Sequence, residues 1–187
     1  MTTKSATLEQ VIEHVNTVSA NHYDEVVPVT EMQFDSLKQM WVGGRQVEVA
    51  PTARRLFANR LGIPYNYLAR CPQGLQEKNL NFWLEQQARK RDALFCRFDG
   101  NRMRAVFTER YTPLDNRQVL NRMVRHGFDT GTKVQYAYDD KIFALKVPDW
   151  NKTFALKGND RIVPGLSFTY SEVGIMAFSI EAYFLRL

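Results

Sequence analysis

The stretch LFCRFDGNRMRAVF, from Leu94 to Phe107, constrains the fold more than any other part of the chain. Two alternating runs flank Asp99-Gly100. Asp-Gly is a strong signal for a two-residue hairpin turn, because a type I′ turn needs φ > 0 at both central positions. That turn sets Phe98 opposite Asn101, Arg97 opposite Arg102, Cys96 opposite Met103 and Phe95 opposite Arg104. Opposed residues share a face of the sheet. Leu94, Cys96, Phe98, Met103, Ala105 and Phe107 are therefore expected on the core side, and Arg97, Arg102 and Arg104 on the other, beside Phe95 and Val106. A three-residue turn mixes charge into the apolar face and is disfavoured.

Arg97 directly opposite Arg102 is unfavourable unless something negative sits nearby. One reading is a phosphate backbone lying over an Arg-rich, partly aromatic strand face. The other is a neighbouring strand that supplies Asp or Glu, or plain solvation. Beyond Phe107, Thr112-Pro113 ends the strand. Asp115 or Asn116 is placed to cap a helix with Val119, Leu120, Met123 and Val124 as its apolar stripe, and Gly127 suits its C-terminal end. Arg117, Arg122 and Arg125 lie off that stripe.

The rest of the chain supplies more hairpins and a helical block. Leu8, Val11, Ile12, Val15 and Val18 follow helical spacing, with Ser5 or Thr7 as the cap. Residues 24–34 read as extended, and Gly43-Gly44 reads as a hairpin turn. Pro51 and Thr52 open a helix closed by Gly62, and shorter and longer helices follow from Pro64 and Leu75. The longer one carries Leu75, Asn79, Phe82, Trp83 and Gln86 on one side and ends in Arg89-Lys90-Arg91. Asp139-Asp140 reads as the turn of a second hairpin. A short strand is expected at Thr153–Leu156, and two more flank Ser171-Glu172-Val173-Gly174. The pattern gives an α+β fold: an antiparallel sheet built from several hairpins, with helices inserted between the first and the central one. Residues 1–187 are expected to form a single domain, with an N-terminal helix in 1–22, a helical insertion at 51–91 and the main sheet with one helix at 94–187. The strong strand pattern up to Leu187 leads to the expectation that the natural domain continues, or that another chain covers that edge.

Charge is unevenly spread. Residues 1–50 hold 3 basic and 7 acidic residues, 51–125 hold 15 and 6, and 126–187 hold 7 of each. Thirteen of the fifteen central basic residues are arginine, whose planar fork matches phosphate and stacks on aromatic rings. Cys71 and Cys96 provide neither a disulfide framework nor a metal spacing, and His14, His22 and His126 are not spaced as ligands. With no basic-then-apolar leader and no long apolar run, a cytoplasmic protein without membrane contact is expected. No cofactor is expected.

Four blocks, LGIPYNYLAR, NLNFWL, RAVFTERYTPLDN and GLSFTYSEVGIMAFSIEAYFLRL, resemble in order and spacing the phage/plasmid-like protein family, domain of unknown function 932. The likeness runs from about Ala50 to the C-terminus, and RAVFTERYTPLDN and SEVG are its most specific parts. The resemblance implies a protein of a mobile genetic element and no particular reaction. It also implies a chain that runs on beyond the position of Leu187.

Three functions are compatible with these residues. The first is a non-catalytic nucleic-acid-binding module for DNA or RNA, using Arg97, Arg102, Arg104, Arg110, Arg117, Phe95 and Tyr111, with Tyr65 and Tyr67 nearby. The second is a metal-dependent nuclease or phosphoryl-transfer enzyme drawing on Glu109, Asp115, Glu172 and Glu181, with Arg110 and Arg117 beside them. No P-loop, His-rich or nucleophile–base arrangement supports it. The third is a phage protein that binds a host protein, or a homo-oligomer, through the last strand.

Overall fold

The structure is a computed structural model and describes residues 2–89, 93–155 and 161–187. In chain order it builds β1 (Lys4–Thr7), α1 (Leu8–Val18), β2 (His22–Pro28), β3 (Met32–Phe34), β4 (Gln39–Val42), β5 (Arg45–Val49), α2 (Pro51–Leu61), α3 (Tyr65–Arg70) and α4 (Gln73–Ala88). There follow β6 (Ala93–Asp99), β7 (Arg102–Thr108), α5 (Asn116–Arg125), β8 (Lys133–Tyr138), β9 (Phe143–Pro148), β10 (Phe154–Ala155), β11 (Arg161–Tyr170) and β12 (Ser179–Arg186). This is the expected α+β class with mainly antiparallel pairing. The strands form two six-stranded sheets, and the chain divides into two compact units, Asn21–Thr112 and Met1–Ala20 with Pro113–Leu187. Residues 94–187 therefore do not make one main sheet: β6 and β7 join β2 to β5, whereas β8 to β12 join β1. Within 1–22 the helix is confined to Leu8–Val18, because Lys4–Thr7 pair with β8 as a strand. Lys90, Arg91 and Leu156 lie outside the described residues. Among the described residues no helix is long and apolar enough to cross a membrane.

In the unit Asn21–Thr112 the strand order is β2-β6-β7-β5-β4-β3. All neighbours are antiparallel except β5 and β7. The Gly43-Gly44 turn joins Val42 to Arg45, with φ of +53° and +79° as a type I′ turn requires. Pro51 sits in the first turn of α2, where its missing N–H costs nothing, and Gly62 ends that helix at φ +71°. Phe57, Ala58 and Leu61 of α2, Leu68 of α3, and Leu80 and Leu84 of α4 share a core with Phe34, Met40, Val47, Leu94, Cys96, Phe98 and Met103 of the sheet. Asn81 on α4 accepts from the Phe34 N–H at 2.7 Å and donates to the Phe34 carbonyl at 2.8 Å, satisfying the outer edge of the terminal strand β3.

The central hairpin forms, with a different register from the expected one. Asp99 pairs with Arg102 and Phe98 with Met103, so Gly100-Asn101 is the turn. Gly100 has φ +53° and no described non-glycine residue has positive φ, which is the pattern of a type II′ turn with glycine first. A register shift at Arg97/Phe98 then leaves Arg104 as the extra residue, setting Arg97 opposite Ala105, Cys96 opposite Val106 and Phe95 opposite Phe107. Val106 consequently joins the core, and Ala105 and Phe107 share the face of Arg97 and Phe95.

In the second unit β1, β8, β9, β11 and β12 follow one another, and β10 pairs with the start of β11. Thr7 caps α1 through a reciprocal capping box with Gln10. Leu8, Val11 and Val15 of α1 and Val119, Leu120 and Met123 of α5 pack on Val134, Tyr136, Phe143, Leu145, Val147, Phe168 and Tyr170 of the sheet. The Asp139 carboxylate accepts from the N–H groups of Lys141 and Ile142, both at 2.8 Å, so turn chemistry accounts for this aspartate.

Candidate nucleic-acid interface

Strand pairing decides the fate of the hairpin arginines. β2 lies antiparallel beside β6 and places Asp24 opposite Arg97. Arg97 Nε donates to Asp24 Oδ1 at 2.9 Å, and the Arg97 side chain is only 3% exposed. Arg104 is 6% exposed, and its Nη1 lies 2.9 Å from His22 Nδ1. A guanidinium can only donate, so Nδ1 accepts and the ring proton of His22 sits on Nε2. Arg102 is half-buried, with Nε 3.8 Å from Glu48 Oε1. Arg97 and Arg104 of the expected open face are thus buried beside β2, and neighbouring strands supply the counter-charges Asp24 for Arg97 and Glu48 for Arg102.

The aromatic members of the expected site are also engaged. Tyr111 stacks on Phe107 with ring centroids 3.8 Å apart and planes 8° from parallel, and its ring lies 5.6 Å from that of Phe95. Phe95 and Tyr111 are half-buried, and Arg110 is exposed. Arg117 is exposed on α5, in the other compact unit, so the seven residues do not come from one sheet face.

The carboxylates considered for chemistry are dispersed. Glu109 is exposed in the loop after β7. Asp115 holds the N-cap position of α5 without a side-chain capping bond. Glu172 takes that part: its Oε1 accepts from the Asn116 N–H at 2.7 Å, and the residue is 5% exposed. The segments TPLDN and SEVG meet at this bond. Glu181 accepts from the Ser179 hydroxyl on the exposed strand β12. Among the described residues no group of three or more His, Cys, Asp or Glu is placed to hold a metal ion.

An exposed set on the helical segment is the feature that hairpin-centred reasoning missed. On α4, Leu80 and Leu84 point to the core, and the side carrying Leu75, Phe82 and Trp83 faces solvent. Phe82 and Trp83 are 54% and 45% exposed and meet edge to face at 5.3 Å. Lys78, Phe82 and Arg89 follow at i, i+4 and i+11 on that outward side, all exposed, with the exposed Glu85 one turn before Arg89 on the same side. On the preceding helices the exposed Arg55 lies over the Tyr65 ring at 4.2 Å, and Tyr67 and Arg70 are exposed. The sequence signal for this set was present: the apolar residues of α4 occupy two opposite sides, which a helix with one buried face does not need.

No protein-family model, no curated protein and no solved structure matches this chain.

Proposed function

We propose that the chain is a non-catalytic nucleic-acid-binding module of a phage- or plasmid-type element, and that it binds through the outward side of its helical segment. The observation that carries this reading is the exposed Phe82–Trp83 pair flanked by Lys78 and Arg89. Solvent-facing aromatic rings offer stacking surface to any base, and flanking cations meet the phosphates between bases. The support from composition is the arginine-rich block 51–125, of which Arg55, Arg70 and Arg89 are exposed members on α2, α3 and the end of α4. Arg97 and Arg104 act in this reading as structural charges inside the sheet layer, while Arg110 remains an exposed contributor.

Fluorescence anisotropy with short labelled single strands and duplexes of DNA and RNA, taken across a salt series, tests the reading. Affinity is expected to fall steeply with salt, by about 0.7–0.9 in logarithmic slope per phosphate contact. Lys78→Glu with Arg89→Glu is expected to lower that slope by about 1 to 2. Phe82→Ala or Trp83→Ala is expected to weaken single-strand binding by roughly tenfold, the size of one lost base stack. No binding to any of the polymers at low salt overturns the proposal.

A further inference from the structure

The face of the second sheet that forms the core does not stop where its helices stop. Tyr136 of β8 pairs with Leu145 of β9, Leu145 with Phe168 of β11, and Phe168 with Ile180 of β12. Opposed residues point the same way, so this register carries one face across the sheet. Its first part, with Leu145 and Phe168, is buried under α1 and α5. Its last part holds Leu166, Ile180 and Phe184, which are 38%, 54% and 68% exposed, with the exposed Ala182 between them. Phe154 of β10, opposite Ile162, adds another ring at 52% exposure.

We infer that this face is the interface between two copies of the chain, packed face to face over β11 and β12. An isologous contact needs a patch complementary to itself. Pro164, Leu166, Ile180, Ala182 and Phe184 form an uncharged strip, so a second copy meets no like charge along it. The charged Glu181 lies on the opposite face by alternation, whereas the next row on this face, Phe154, Ile162 and Arg186, places one arginine at the end of the strip. The exposed apolar area is on the order of 500 Å² per copy, so two copies bury about 1,000 Å², which is the lower bound for a specific contact.

Sedimentation equilibrium of the full chain over a concentration series tests this, beside Ile180→Lys, Phe184→Lys and, as a control on the opposite face, Glu181→Lys. All three positions are solvent-facing, and circular dichroism checks that each variant keeps its fold. A dimer is expected for the parent and for Glu181→Lys, with dissociation at least tenfold easier in Ile180→Lys and Phe184→Lys. A parent that stays monomeric at hundreds of micromolar overturns the inference. A dimer that Ile180→Lys and Phe184→Lys leave intact, or that Glu181→Lys weakens equally, overturns it too, since either result places the contact elsewhere.

Discussion

Arg97 and Asp24 face each other across neighbouring strands, Nε to Oδ1 at 2.9 Å, with the arginine almost completely removed from solvent and a quarter of the aspartate side chain still exposed. Removing one member of such a pair leaves the other charge in a poorly solvating environment. Arg97→Ala is expected to cost about 3 kcal/mol, and Asp24→Ala less because water reaches the carboxylate. Urea denaturation of both variants and of the double variant measures the coupling. An unchanged midpoint for Arg97→Ala is the result that would show the pair to be energetically idle.

Glu172 holds the first N–H of α5 from a loop far away in sequence. Its loss leaves an unpaired donor at a helix N-terminus. Glu172→Ala is expected to destabilise the chain by about 1–3 kcal/mol, whereas Glu172→Gln keeps an acceptor oxygen and costs less. Hydrogen exchange at the Asn116 and Arg117 amides reads the effect locally, and equal protection in the parent and Glu172→Ala contradicts it.

Burial pushes the Cys96 thiol up to about 12 from an ordinary value near 9, and burial also pushes the Tyr170 hydroxyl upward. Both groups hold their protons more tightly when folded. Their contribution is therefore complete below their unfolded values and is lost as pH rises past them. Between pH 9 and 11 stability is expected to fall, with Cys96 contributing roughly 1 kcal/mol per pH unit. Cys96→Ala is expected to flatten that decline in denaturant midpoints. At pH 8 thiol reagents are expected to label Cys71 and to reach Cys96 only after denaturation.

Gly165 has no room for a side chain. A Cβ there would lie 2.7 Å from the Tyr183 ring and 2.7 Å from the Val147 carbonyl oxygen. Gly165→Ala is expected to cost about 1–3 kcal/mol in thermal or urea unfolding. Combining it with Tyr183→Ala is expected to recover only part of that loss, because the carbonyl belongs to the paired strand β9 and stays in place. Full recovery in the double variant would assign the whole clash to the ring.

Hairpins, helix boundaries and fold class were legible because local chemistry sets them: Gly43-Gly44, the Pro51 start, the Gly62 stop and the Asp139 turn all act within a few residues. The central hairpin shows where local reading stops. Asp99-Gly100-Asn101 contains both an Asp-Gly and a Gly-Asn dipeptide, and each makes a good turn. Packing chooses between them, and the extra residue at Arg104 then resets which face each later side chain meets. The counter-charge for Arg97 comes from a strand 73 residues earlier, and the cap of α5 from 56 residues later. Neither partner is visible in a window of sequence. On α4 the side with the larger aromatic residues reads as the apolar one. The core takes Leu80 and Leu84 instead, because Gln76 and Asn81 are occupied with backbone groups of the loop and edge strand beneath them.

The division of the chain at Asn21 and Thr112 gives the polypeptide a nested order of assembly. The strand Lys4–Thr7 and helix α1 leave the ribosome before the other unit, yet their partners β8 and α5 follow only after the whole of that unit has been made. At ordinary translation rates that interval is about 5–20 s. During it the apolar stripe of Leu8, Val11 and Val15 has only β1 of its own sheet beside it, while the intervening unit already possesses every strand of its sheet. A segment made before the other unit thus settles after it, and while it waits its exposed apolar stripe is a target for a chaperone.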